Sequence, residues 1–140
     1  MPRPSARPLA ALSLVAILAS VGGGCTSGDP ARTGAERFLD RYYVEIDLPA
    51  AREESVGVAR AKIDHEMELL RGIAAPESGA KPTVHYRFVK QHDGATVQRQ
   101  GFVYELTISL TGGPQILRRA LVTVQQEGAD WRTANFEELD

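Results

Sequence analysis

The stretch "FVYELTISL" (residues 102–110) decides the fold class, because its side chains alternate between apolar and polar or small. Successive residues of a β-strand point to opposite faces of the sheet. One face of this strand would therefore carry Phe102, Tyr104, Leu106, Ile108 and Leu110. A strand with one apolar face is typical of an antiparallel sheet that is covered on one side only.

Three neighbouring segments extend this strand into an antiparallel sheet of about four strands. Residues 84–88 alternate in the same way and lead to Asp93-Gly94, a dipeptide that favours a hairpin. The segment "QILRRALVTVQQ" is apolar on both faces near its centre, which predicts an internal strand. The segment "WRTANFEEL" follows another turn and predicts a last strand, and Gly101 is expected to mark a bend or bulge.

Helical patterns precede the strands. The residues Phe38, Leu39, Tyr42 and Tyr43 have helical spacing, and Asp47 before Pro49 predicts the capped start of a second helix. An apolar stripe through residues 56–70 predicts a third helix that ends near Gly72. The order predicts an α+β domain, in which N-terminal helices pack on a curved, cone-like antiparallel sheet of about four strands.

The N-terminal segment has the layout of an export signal. Arg3 and Arg7 precede an apolar run over residues 9–21, which is too short for a confident membrane-spanning helix. Gly23, Gly24 and Cys25, the only cysteine, then resemble the end of a bacterial lipoprotein signal. The resemblance implies lipidation of Cys25 (palmitate among the acyl groups), export, and anchoring at the periplasmic face of the outer membrane in a Gram-negative cell. The alternative is ordinary signal cleavage that leaves the Cys25 thiol unmodified.

The sequence predicts three regions: a signal over residues 1–24, a flexible tether over residues 25–34 and one α+β domain over residues 35–140. Beyond the signal, 14 basic residues stand against 18 acidic ones. This mild acidity and the absence of a basic patch argue against nucleic acid as a partner.

Two segments resemble the nuclear transport factor 2-like superfamily of cone-shaped domains, which includes SnoaL-like proteins and shares its layout with cystatin-like domains. They are "AERFLDRYYVEIDLPAA" (residues 35–51) and "LVTVQQEGADWRTANFEEL" (residues 121–139). The resemblance implies that the cone could enclose a site, and that enzymes of the isomerase or dehydratase kind would carry Asp, His or Tyr inside it.

Candidate ligand-binding side chains in such a cone are Tyr43, Tyr86, Gln100 and Tyr104. Asp40 is the best candidate for a catalytic acid or base, and it has no evident partner. No catalytic set stands out, no cofactor motif is present, and the three histidines lack the spacing of metal ligands. We therefore expect neither a metal nor a cofactor.

These observations favour a non-catalytic, lipid-anchored cell-envelope protein that acts as an interaction or assembly module. Its expected partners are the membrane, through the N-terminal lipid, and a protein or a second copy of this chain. The first alternative is a small-ligand binder, and the second is an enzyme of the isomerase or dehydratase kind.

Overall fold

The computed structural model describes residues 28–73, 79 and 81–140, so Cys25 and the predicted signal lie outside the described residues. Four strands form one antiparallel sheet in the order β1-β2-β3-β4. They are β1 (Thr83–Gln91), β2 (Arg99–Ser109), β3 (Gln115–Glu127) and β4 (Asp130–Leu139). The prediction that the third strand is internal is confirmed. Within the described residues, no helix has the length and apolar character needed to cross a membrane.

Three α-helices precede the sheet, as the spacing of the apolar residues predicts, and a π-helical turn that was not predicted follows the first of them. They are α1 (Pro30–Leu39), the π-helical turn (Asp40–Val44), α2 (Leu48–Glu53) and α3 (Gly57–Leu70). Asp47 caps α2 as expected, because its carboxylate accepts a hydrogen bond from the Ala50 N–H at 2.9 Å.

Helix α1 begins earlier than the sequence analysis placed it. The Asp29 side chain accepts a hydrogen bond from the Ala31 N–H at 3.0 Å, and Pro30 occupies the first helical position, where its missing N–H costs nothing. Residues 30–34, assigned to the tether, are therefore helical, and Ala31 and Gly34 are buried. The Pro- and Gly-containing composition that suggested a tether is instead a helix start.

The inner face of the sheet, which is the face toward the helices, forms the core. Phe102, Tyr104 and Leu106 are buried there as the alternation predicts, whereas Leu110, expected on the same face, lies beyond the end of β2 and is exposed. The helices contribute Phe38, Leu39 and Ile63 to the same cluster. Burying each large apolar side chain contributes about 1.5–3 kcal/mol. The helices and the sheet of this segment bury their apolar faces on one another, so residues 28–140 are expected to fold on their own.

Gly34 allows α1 to approach β4 closely. A Cβ atom at this position would lie 2.6 Å from the carbonyl oxygen of Trp131 and 2.8 Å from its Cβ. Ala31 and Ala35, also small and buried, flank Gly34 along the helix. This row of small residues brings α1 against β4 and fixes where the rest of the helix lies over the sheet.

Gly101 does not mark the predicted bend or bulge, and a close contact with His92 explains the glycine at this position instead. The register shifts lie between Phe88 and Lys90 in β1 and between Thr123 and Val124 in β3, whereas the β2–β3 register is regular at Gly101. A Cβ on Gly101 would lie 3.0 Å from the Cβ of His92. The glycine therefore leaves space for the His92 side chain on the outer face of the sheet.

Candidate functional site

Helix α1 packs chiefly on β4 and β3, so its polar side chains reach over the inner face of β1 and β2. Arg32, Glu36 and Asp40 are spaced by four residues and therefore share one side of the helix. Opposite them lie aromatic side chains of the first two strands. We call this place the cone mouth, and it consists of Arg32, Glu36, Asp40, Tyr86, Phe88 and Tyr104.

At one end of the cone mouth, Tyr86 donates a hydrogen bond from its hydroxyl to Asp40 Oδ1 at 2.8 Å. Burial raises the pKa of Tyr86, and the bonded carboxylate raises it further. Asp40 opens the π-helical turn, and its carbonyl accepts a hydrogen bond from the Glu45 N–H at 2.8 Å.

At the other end, Arg32 lies between a carboxylate and an aromatic ring. Its Nε donates to Glu36 Oε1 at 2.7 Å, and its guanidinium carbon lies 4.1 Å from the centre of the Phe88 ring. The side chain of Arg32 is 42% exposed and that of Glu36 is 31% exposed. A cation over an aromatic face is attracted by the ring quadrupole, so Arg32 has two separate sources of attraction here.

Tyr104 forms the floor of the cone mouth and is fully buried. Its ring meets Tyr86 edge-on at 5.8 Å and Phe88 at 5.9 Å between centroids. Among the residues that the structure describes, its hydroxyl has no hydrogen-bond partner. Burial raises the pKa of Tyr104, and the charge of Glu36 raises it as well. A buried hydroxyl without a partner has a desolvation cost that a ligand atom could offset.

The structure brings together some of the predicted site residues and separates others. Tyr86, Tyr104 and Asp40 meet in the cone mouth. Tyr43 instead packs edge-on against Tyr42 at 4.8 Å, and burial together with Glu138 raises the pKa of its hydroxyl.

Gln100 also lies apart from the cone mouth, near the start of β2. It accepts a hydrogen bond from Gln91 Nε2 at 3.0 Å in an exposed cross-strand pair. Its position in the alternation places it on the inner face with Phe102 and Tyr104, but it is only partly buried at that end of the strand.

Sequence reasoning missed Arg32 and Glu36. Arg32 lies within residues 25–34, which the composition predicts to be a tether and not part of a helix. The signals that could have found them are the Asp29-Pro30 helix start and the four-residue spacing of Arg32, Glu36 and Asp40.

His65, His85 and His92 are all exposed. Within the described part of the chain, no group of three or more Asp, Glu, His or Cys side chains is arranged to hold a metal ion.

Comparison with known proteins gives matches of structure only. No protein-family model and no curated protein matches the sequence. A crystal structure described as a putative calcium/calmodulin-dependent protein kinase type II association domain from Thiobacillus denitrificans is 11% identical, with a TM-score of 0.59, over 78% of this chain and 94% of its own. A designed nuclear transport factor 2-like protein is 12% identical, with a TM-score of 0.51, over 78% of this chain and 96% of its own. The chain therefore has the nuclear transport factor 2-like α+β fold, a four-stranded curved antiparallel sheet covered by three helices.

Proposed function

We propose that this chain is an exported, lipid-anchored and non-catalytic module that pairs with a second copy of itself through the outer face of its sheet. The observation that carries the proposal is a row of alternating charges on that face. The row runs across three neighbouring strands as Arg87, Glu105 and Arg119, which lie opposite one another in the register.

The packing of the cone supports a non-catalytic role. The inner face of β2 presents Phe102, Tyr104 and Leu106, which are at most 2% exposed and contact helix side chains. Three surface depressions of about 590, 560 and 230 Å³ are lined by other residues, and neither Tyr86 nor Tyr104 lines them. The side chains of Phe102, Tyr104 and Leu106 pack in the core and fill space that an enclosed substrate would otherwise occupy.

The outer face has the character of a contact surface. Its depression of about 590 Å³ is lined by residues that include Glu105, Leu117 and Arg119. Leu117 is 61% exposed. Beside the charged row, Val103 and Leu121 form a cross-strand apolar pair, but both are already buried in the single chain, so Leu117 is the exposed apolar side chain of this surface. A mixture of exposed apolar and charged side chains is typical of protein–protein interfaces.

The charges favour a second copy as the partner. In a two-fold symmetric pair, residue i of one copy meets residue j of the other and the reverse. Glu105 accepts a hydrogen bond from Arg87 of its own chain at 3.0 Å and lies beside Arg119 in the register, and its carboxylate has further acceptor sites, so two copies can also place each Glu105 against the partner's Arg119. The structural neighbour from Thiobacillus denitrificans is described as an association domain, which agrees with a role in assembly.

Exchanging the charges tests this pairing. We expect residues 26–140 to sediment as a dimer, and each of Glu105→Arg and Arg119→Glu alone to give monomers, because each creates two like-charge contacts. A mixture of the two variants should recover a dimer, since both contacts are then opposite in charge. The pairing would be refuted if the wild-type protein stayed monomeric at about 100 µM, or if the mixture of the two variants stayed monomeric. If the chain formed heterodimers with an unrelated envelope protein and did not self-associate, the partner of the outer face would be that protein and the self-pairing would be wrong.

Lipid attachment at Cys25 needs its own test. Arg3, Arg7, the apolar run and the small residues before Cys25 support it. We expect the full chain, expressed in a Gram-negative host, to incorporate an alkyne-labelled fatty acid and to fractionate with the outer membrane. Cys25→Ser should lose the label, whereas Ser20→Ala, a change within the signal, should keep it. Label that persists in Cys25→Ser would exclude this cysteine as the attachment site.

One observation favours a second candidate function, small-ligand binding at the cone mouth. The buried Tyr104 hydroxyl has no partner among the described residues, and partly exposed polar side chains lie above it. A thermal-shift screen of chemically varied small molecules against residues 26–140 tests this function. A compound that stabilises the wild type but not Tyr104→Phe supports it, and a screen without any such compound rejects it.

A further inference from the structure

Arg32 in α1 differs from a comparable arginine, Arg41, in the π-helical turn that follows. Arg41 and Glu45 form an i,i+4 ion pair at 2.6 Å with side-chain exposures of 47% and 44%, close to those of Arg32 and Glu36. Arg32 additionally lies over the Phe88 ring at 4.1 Å, and no such aromatic contact is found for Arg41 within the described residues. The guanidinium of Arg32 is therefore held by an aromatic ring as well as by a carboxylate, whereas that of Arg41 is held by its ion pair alone among the described residues.

The groups around Arg32 are those that recognise an organic cation. Phe88 offers a ring face, and Glu36 offers a carboxylate that accepts charge-assisted hydrogen bonds. The buried hydroxyl of Tyr104 lies near both Arg32 and Glu36, so the guanidinium of Arg32 also favours it electrostatically, but among the described residues no group meets it with hydrogen-bond geometry. Asp40, one helical turn further along, supplies a second carboxylate. Without the charge of Arg32, the cone mouth is a negative site with an aromatic wall.

We propose that the cone mouth binds an organic cation, a guanidinium or alkylammonium group, and that the guanidinium of Arg32 occupies this site in the absence of the ligand. The inference rests on the second candidate function, small-ligand binding, and names its ligand class. The incoming cation displaces Arg32 from Glu36 and Phe88 and donates to the Tyr104 hydroxyl. Arg32 can leave because its side chain is long and 42% exposed, and exposed ion pairs are weak.

Removing the internal competitor tests the proposal. We expect Arg32→Ala in residues 26–140 to bind methylguanidinium chloride with a saturable 1:1 isotherm, at least tenfold tighter than the wild type in calorimetry at constant ionic strength. The matched control Arg41→Ala should bind like the wild type. Adding Glu36→Gln to Arg32→Ala should weaken binding at least tenfold, because the charged acceptor is lost. Arg32→Met, which keeps an apolar stem over Phe88, provides a second vacated site if the alanine variant does not fold.

Two results would overturn the proposal. One is equal affinity of Arg32→Ala, or of Arg32→Met, and Arg41→Ala for methylguanidinium. The other is binding that Glu36→Gln leaves unchanged, which would place the cation elsewhere. An uncharged compound that stabilises the wild type through Tyr104, combined with no response to methylguanidinium, would refute the cation and leave small-ligand binding standing. The charge-exchange experiment on the outer face is independent of all these outcomes.

Discussion

Replacing Gly34 by alanine tests how closely α1 packs on β4. The added Cβ would lie 2.6 Å from the carbonyl oxygen of Trp131, whereas ordinary contacts begin near 3.4 Å, so helix and strand must separate by about 0.8 Å. The obstacle is backbone, so no rotamer change relieves it. The same carbonyl also accepts a hydrogen bond from Arg37 at 3.2 Å, which a shift would weaken.

The magnitude follows from two opposing effects. Alanine is a better helix former than glycine by about 1 kcal/mol. Inserting a methyl group into a closely packed contact costs about 1–3 kcal/mol, and here the contact is tighter than usual. We expect a net loss of about 1–2 kcal/mol in the free energy of unfolding of Gly34→Ala, and a melting temperature lower by about 5–10 °C.

Urea denaturation followed by circular dichroism measures this loss. Thr33→Ala is the matched control, because Thr33 is the exposed neighbour of Gly34 and its replacement should change stability by less than about 0.5 kcal/mol. A Gly34→Ala protein that is as stable as the wild type, or more stable, would refute the close approach of α1 and β4.

Three further predictions concern stability. Ile46 has a φ of +56°, a left-handed conformation that costs a β-branched residue about 1–2 kcal/mol. Because glycine adopts this conformation freely, Ile46→Gly should be about 1 kcal/mol more stable than Ile46→Ala. The reverse order in urea denaturation would show that the backbone at position 46 is not left-handed in solution. Tyr104→Phe should gain about 1 kcal/mol because it removes a hydroxyl that has no partner among the described residues, whereas Tyr86→Phe should lose about 1 kcal/mol with its bond to Asp40. Two equal values would contradict this difference. Burial raises the pKa of all four tyrosines, so their contribution to stability is full below pH 10 and decreases as the pH rises above it. The absorbance of ionised tyrosine at 295 nm should therefore rise together with alkaline unfolding. Reversible ionisation near pH 10 in the folded protein would argue against the burial of these side chains.

Local sequence signals predicted most of the fold, because each depends on neighbouring residues. Asp47 and Gly72 bracket α2 and α3, and the alternation after Gly101 places the core side chains of β2 correctly. The π-helical turn at Asp40–Val44 was not predictable, because Phe38, Leu39, Tyr42 and Tyr43 have the three- and four-residue spacing of an ordinary α-helix.

The candidate site depends on contacts between distant segments, so the sequence predicted it only in part. Aromatic alternation identified Tyr86 and Tyr104, because that pattern is local. The position of α1 over β1 and β2 follows from the fit of Gly34 against Trp131, which no local pattern shows. Arg32 and Glu36 enter the site through that fit, and their own spacing alone is common on exposed helices.

Because α1 begins at Pro30, a lipid on Cys25 would hold the folded domain close to the membrane surface. With acyl chains on Cys25, only residues 26–28 separate the lipid from the Asp29 helix cap, and four backbone steps span at most about 14 Å. Arg32, in the first turn of α1, would then stay within a few nanometres of the phospholipid headgroups. Anything that meets the cone mouth would have to come from the thin layer of water beside the bilayer, or from the bilayer surface itself. A flexible insert between Cys25 and Asp29 would let the domain move further from the membrane surface without changing its fold.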